Sequence, residues 1–202
     1  MNRRVYGLDP SITSTGISDG VTHSLIKTLP EDSISPLGDT ARRLAVIMLQ
    51  IETIVNQERD RNFIIYVESA MLNSTQANHL YEMGMYFISL YNMFSEHRLR
   101  FISPATLKKY ISGKGNAGKS HVATVCGVGK HPLCVTCAAR DIHHITFEHD
   151  PGKDKLHAFF LFKLGTEIES GNIPYIAPVR RGRGKEKKCT QQTTQSLTTA
   201  IP

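Results

Sequence analysis

The sequence predicts an α/β fold, a mixed β-sheet flanked by helices, and three observations predict it. The segments VYGLD and NFIIYVES are short, nearly continuous apolar runs, as expected for strands in a sheet covered on both faces. Between them, residues 38 to about 59 place Leu44, Ile47, Met48, Ile51, Ile54 and Val55 at helical spacing. The segments run in the order three strands, helix, strand, helix, strand, helices, which suits a mixed sheet and no all-α or all-β arrangement.

Taken in order, VYGLD is the first strand, and TGISDG followed by THSLIKTL reads as two more in a meander. The long helix comes next, then NFIIYVES, a helix through QANHLYEMGMYFISLYNMF and the short strand LRFIS. Ser103 before Pro104 is a good helix start: serine caps exposed N–H groups, and proline has its φ set for the first turn. That helix, ATLKKYIS, should end at Gly113, and another should begin near Ala117, carrying His121, Val122 and Val125. The last helix is DKLHAFFLFKLGTEIE. No internal repeat is visible. From Pro178 onward the periodicity stops, so we expect one domain over residues 1–177 and a disordered basic tail over residues 178–202.

Length and composition narrow the function classes. A chain of 202 residues with 40% hydrophobic and 21% charged residues suits one soluble globular domain and is short for two. No apolar run reaches the roughly 18 residues of a membrane span. The N-terminal MNRRVYGLDPS lacks the apolar stretch of a signal peptide, so a cytoplasmic location is expected. The four cysteines are then expected to be reduced or metal-bound, not disulfide-paired. The net charge is +6, but residues 178–202 hold six Lys/Arg against one acid, so most of the excess sits in the tail. That run suits a solvated segment, or one adding salt-sensitive, non-specific DNA affinity. A grip on phosphates by the folded body must come from a local cluster.

The chemistry begins with the acids that end strands. Asp9 closes VYGLD and Glu68 closes NFIIYVE. A carboxylate at the end of an apolar central strand is costly to bury without a positive partner. If the two strands are neighbours, both carboxylates reach one sheet edge, repel each other and call for a divalent cation such as Mg²⁺ or Mn²⁺. Spacing alone equally allows two unrelated acids, each capping its own loop.

Five segments in order carry a resemblance. GLDPSITSTG, VESAML, HLYEMGMY, SPATLKKYISGKGNAGKSHV and DKLHAFFLF resemble the successive motifs of RuvC-like Holliday junction resolvases, in the RNase H-like superfamily. Together they run from about Val5 to Leu164. The resemblance implies an RNase H-like fold with catalytic metal ligands Asp9, Glu68, Asp154 and His157. Spacing i to i+3 puts Asp154 and His157 on one helix face. Such a set can hold two metals, one activating water and one stabilising the leaving 3′-oxygen. The resemblance also implies Gly84 at a close-packing helix position, the turn Gly113, Gly115, Ala117, and DNA contacts from Lys108, Lys114 and Lys119. His157 departs from the family, which usually has aspartate there; Asp150 is a possible stand-in. Met71 stands where relatives can carry an aromatic wedge, and it reads equally as a packing methionine.

Two further patterns compete with this reading. Gly113, Gly118, Lys119 and Ser120 satisfy a nucleotide-binding loop spacing, but the segment before Gly113 reads as a helix where such a loop needs a strand. In the Cys/His-rich insert, about residues 126–149, Cys134 and Cys137 form a C-x₂-C pair. With Cys126 and His143 they offer a structural Zn²⁺ site; His131 and His144 are alternative ligands, and reduced cysteines with solvated histidines are the plain alternative. The resemblance thus implies a homodimeric, metal-dependent endonuclease resolving four-way or branched DNA, and the short length and unusual insert suit, by analogy, a phage-encoded enzyme acting in the host cytoplasm. The rivals are a junction-binding module of weakened catalysis and an RNase H-like nuclease on other branched DNA or RNA.

Overall fold

Alternation along the two central strands decides the layering. In β1 (Arg4–Asp9) and β4 (Phe63–Glu68) successive side chains point to opposite faces of the sheet. Tyr6, Leu8, Phe63, Ile65 and Val67 join one buried cluster; Val5, Ile64 and Tyr66 join another on the opposite face. Both faces are therefore covered, which is why these strands are apolar throughout.

A computed structural model of the chain describes residues 3–56, 62–69, 77–116 and 154–177. The other elements are β2 (Ser14–Ser18), β3 (His23–Lys27), α1 (Pro36–Asn56), α2 (Ala77–Met93), β5 (Leu99–Ile102), α3 (Pro104–Ser112) and α4 (Asp154–Glu169). The sheet order is β3-β2-β1-β4-β5, with β1, β2 and β3 antiparallel and β1, β4 and β5 parallel. Helices α1 and α2 cover the first face through Leu44, Ile47, Ile51, Tyr86 and Leu90. Helices α3 and α4 cover the second through Leu107, Ile111, Leu156, Phe159 and Leu164. This is the mixed sheet with flanking helices that the patterning predicts.

Helix α1 starts at Pro36, two residues before the expected Gly38, because proline suits a first turn. Ser103 caps α3 as expected, accepting from Thr106 N–H at 3.1 Å. At the other end Gly113 takes φ 75°, and its N–H donates to Lys109 O at 2.9 Å. The chain then turns back so that Gly115 lies against the Ala105 carbonyl. A helix and not a strand leads into Gly113, so the nucleotide-binding reading lacks its context. Gly84 is a correction. A Cβ there would meet nothing within 4 Å among the described residues, so it packs closely against no other described element. No described helix is long and apolar enough to cross a membrane. The expected helix near Ala117, the Cys/His insert and the tail lie outside the described residues.

Candidate metal centre

Strand parity aims the two acids at the same helix. On β1, Val5 and Gly7 face α4, and Asp9 continues that side; on β4, Ile64 and Tyr66 do so, followed by Glu68. The strands are parallel neighbours with Leu8 opposite Val67, so Asp9 and Glu68 end the sheet side by side.

Helix α4 comes close because two glycines let it. A Cβ on Gly16 of β2 would strike the Asp154 carbonyl, and one on Gly7 of β1 would strike the Ala158 carbonyl oxygen and Phe162 N. The helix thus passes from over β2 at Asp154 to over β1 at Ala158, and Gly165 rests on the Tyr66 ring of β4. His157, next to Ala158, is carried over the ends of β1 and β4.

His157 Nδ1 lies 3.1 Å from Glu68 Oε2 and 3.5 Å from Asp9 Oδ2. One ligand atom from each of Asp9, Glu68 and His157 lies within 4.8 Å of the others. His157 is 1% exposed, Asp9 is buried and Glu68 is half-buried. The set fits a divalent cation: two carboxylates brought to one buried edge repel, and a metal ion relieves that repulsion while both oxygens and an imidazole nitrogen coordinate it. The oxygens suit Mg²⁺ or Mn²⁺, and the nitrogen suits Mn²⁺ better. His157 Nε2 is buried without a hydrogen-bond partner among the described residues, so the outer contact that usually orients a ligating histidine is not among them.

The sequence-expected ligands therefore divide. Asp9, Glu68 and His157 converge. Asp154, buried in the first turn of α4, is not in that group of three, and its backbone carbonyl rests on Gly16 of β2. Lys108 is half-buried on α3, and Lys114 is exposed in the turn after it. Met71, Lys119, Asp150, Cys126, Cys134, Cys137 and His143 lie outside the described residues.

Sequence reasoning passed over the side chains behind Asp9. Thr28 Oγ1 donates to the Ile12 carbonyl, and Arg43 Nε donates to Thr28 Oγ1 at 2.9 Å. The Tyr86 hydroxyl reaches Thr15 Oγ1 at 2.9 Å. In the sequence Tyr86 reads only as one more core position of an amphipathic helix, and no spacing signals its hydroxyl.

No protein-family model and no curated protein matches the sequence. Solved structures do. T. thermophilus RuvC in complex with a Holliday junction substrate matches with a TM-score of 0.51 and 20% identity, over 80% of this chain and 96% of that one. A second Thermus thermophilus RuvC structure gives 0.48 and 18%, over 83% and 96%. The first match shows a shared fold: this chain has the RuvC-like form of the RNase H-like fold.

Proposed function

We propose that this protein is a metal-dependent, structure-selective DNA endonuclease that resolves four-way junctions by paired phosphodiester hydrolysis. The observation that carries the proposal is the convergence of Asp9, Glu68 and His157 at one edge of a RuvC-like sheet. Asp9 and Glu68 would hold the cation from the ends of neighbouring strands. His157 supplies a nitrogen ligand from the crossing helix, and Asp154, one turn earlier, is the fourth ligand of a fully assembled site. A divalent cation, when bound, supplies Lewis-acid charge to the phosphodiester and activates water for attack. Lys108, Lys114 and Lys119 hold backbone phosphates, and Met71 is an apolar wedge at the distorted base step. The products carry 5′-phosphate and 3′-hydroxyl ends. The solved complex of T. thermophilus RuvC with its junction supports four-way DNA as the substrate.

Paired cutting needs two active sites, hence a C2 homodimer matching the junction's own two-fold symmetry. Tyr81, Ile88 and Tyr91 are exposed on α2 around the open Gly84 position, and this outward face of the helix supports a dimer seam there. The domain comprises residues 1–177, and the basic tail adds non-specific DNA affinity. In the insert, Cys126, Cys134, Cys137 and His143 form a structural Zn²⁺ site.

A second reading is favoured by one observation. Histidine stands in the trio where an acid would be a harder ligand, as in a module that binds junctions with weakened catalysis. Cleavage of a labelled four-way junction beside linear duplex, with Mg²⁺, Mn²⁺ or EDTA, separates the two. Symmetric nicks in the junction alone are expected, reduced more than about 100-fold by Glu68→Gln, beyond the loss typical of an outer-contact change. Binding without cutting would establish the module instead.

A further inference from the structure

The turn after Asp9 is held from behind by a buried hydroxyl relay. Tyr86 lies on the inner face of α2, and none of its surface reaches solvent. Its hydroxyl is 2.9 Å from Thr15 Oγ1, which is 2.6 Å from the Ser11 carbonyl oxygen. A carbonyl only accepts, so Thr15 spends its single proton on Ser11, and Tyr86 must donate to Thr15. The Ser11 N–H donates back to Thr15 Oγ1 at 3.3 Å. Thr15 Oγ1 thus has its proton and both lone pairs engaged, which leaves the relay one direction only.

Ser11 is the second residue beyond Asp9, so whatever fixes this turn fixes where β1 ends. Burial, and after it the nearby Asp9 charge, push the Tyr86 phenol well above its ordinary pKa. The phenol therefore stays a donor throughout the working pH range. A phenylalanine would fill this part of the core without a hydroxyl to satisfy, so core packing alone does not explain the group.

We infer that Tyr86 is a positioning residue for the metal centre: through Thr15 it fixes the Ser11 turn and so aims the Asp9 carboxylate at Glu68 and His157. The inference rests on the metal-site reading given above. It also links α2, whose inner face carries Tyr86, to the catalytic edge of the sheet.

The test compares the full-length wild type with Tyr86→Phe, Thr15→Val and Tyr66→Phe. Mn²⁺ affinity is read without DNA, from the paramagnetic resonance of free Mn²⁺, and the Mn²⁺ dependence of junction nicking is read alongside. Tyr66→Phe is the control, because it deletes another core hydroxyl, one that donates to Glu169 at 2.8 Å. Tyr86→Phe is expected to lower Mn²⁺ affinity about 10-fold, the scale of lost outer contacts to a metal ligand. The Mn²⁺ concentration for half-maximal nicking should rise by the same factor, with most of the rate restored at saturation. Thr15→Val should match it, the double variant should add little, and Tyr66→Phe should leave Mn²⁺ affinity unchanged. If Tyr86→Phe does not fold, Thr15→Val must show the loss and Thr15→Ser must restore it. Unchanged Mn²⁺ affinity in the relay variants, or an equal loss in Tyr66→Phe, overturns the inference. A wild type that binds no Mn²⁺ overturns the metal-site reading itself, and the inference with it.

Discussion

At the metal centre His157 has its Nδ1 3.1 Å from Glu68 Oε2, where an aspartate would add a third like charge to a buried edge. Imidazole makes the site less anionic and softer, which favours Mn²⁺ over Mg²⁺. The wild type should therefore nick faster in Mn²⁺ than in Mg²⁺, and His157→Asp should move that ratio toward Mg²⁺. Initial nicking rates in each metal measure it, and an identical ratio in the two proteins would sink the argument. The strand-end acids were legible in the sequence, because a charge ending an apolar run is conspicuous; His157 was named only through the family resemblance. Tyr86 was not, because its hydroxyl acts across a distance of 71 residues in the chain.

Among the elements, α4 positions the site by lying almost directly on the sheet, and the two glycines beneath it set how close it comes. Gly16→Ala would drive a methyl into the Asp154 backbone, which has no rotamer by which to yield. It should destabilise the fold by about 1–3 kcal/mol, the usual range for overpacking, and lift α4 away from Asp9. Gly84→Ala should have the opposite sign, since no described residue would meet the new methyl within 4 Å and alanine is favoured over glycine in a helix by about 1 kcal/mol. Urea unfolding of both variants checks the pair. The family resemblance marked Gly84 as the close-packed glycine, and only neighbours in space show that Gly16 is the crowded one.

For the whole molecule, the open question concerns pairing of two copies. Ile88 is 62% exposed and Tyr81 50%, on the helix that carries the accessible Gly84. Ile88→Arg places a charge on that face without disturbing the core beneath. Sedimentation should show it shifting the protein from dimer toward monomer. On a four-way junction the two strands should then be cut independently, leaving a singly nicked intermediate. A wild type that is already monomeric under the same conditions would remove the dimer from the proposal.

Local chemistry was enough to place most of the described elements to within a few residues and to name the residue that ends each central strand. Periodicity, capping by Ser103 and a left-handed stop at Gly113 act within a few residues, so a linear reading captures them. It also marked Asp9 and Glu68 as strand-end acids, while the family resemblance, and not local pattern, grouped them with Asp154 and His157. Folding decided the rest: that β1 and β4 are parallel neighbours, that α4 crosses from β2 to β4, and that Asp9, Glu68 and His157 bring ligand atoms within 4.8 Å of one another. It also decided that a tyrosine on α2 braces the turn behind Asp9. These are contacts between residues far apart in the chain, set by strand register and helix approach, and no local pattern encodes them.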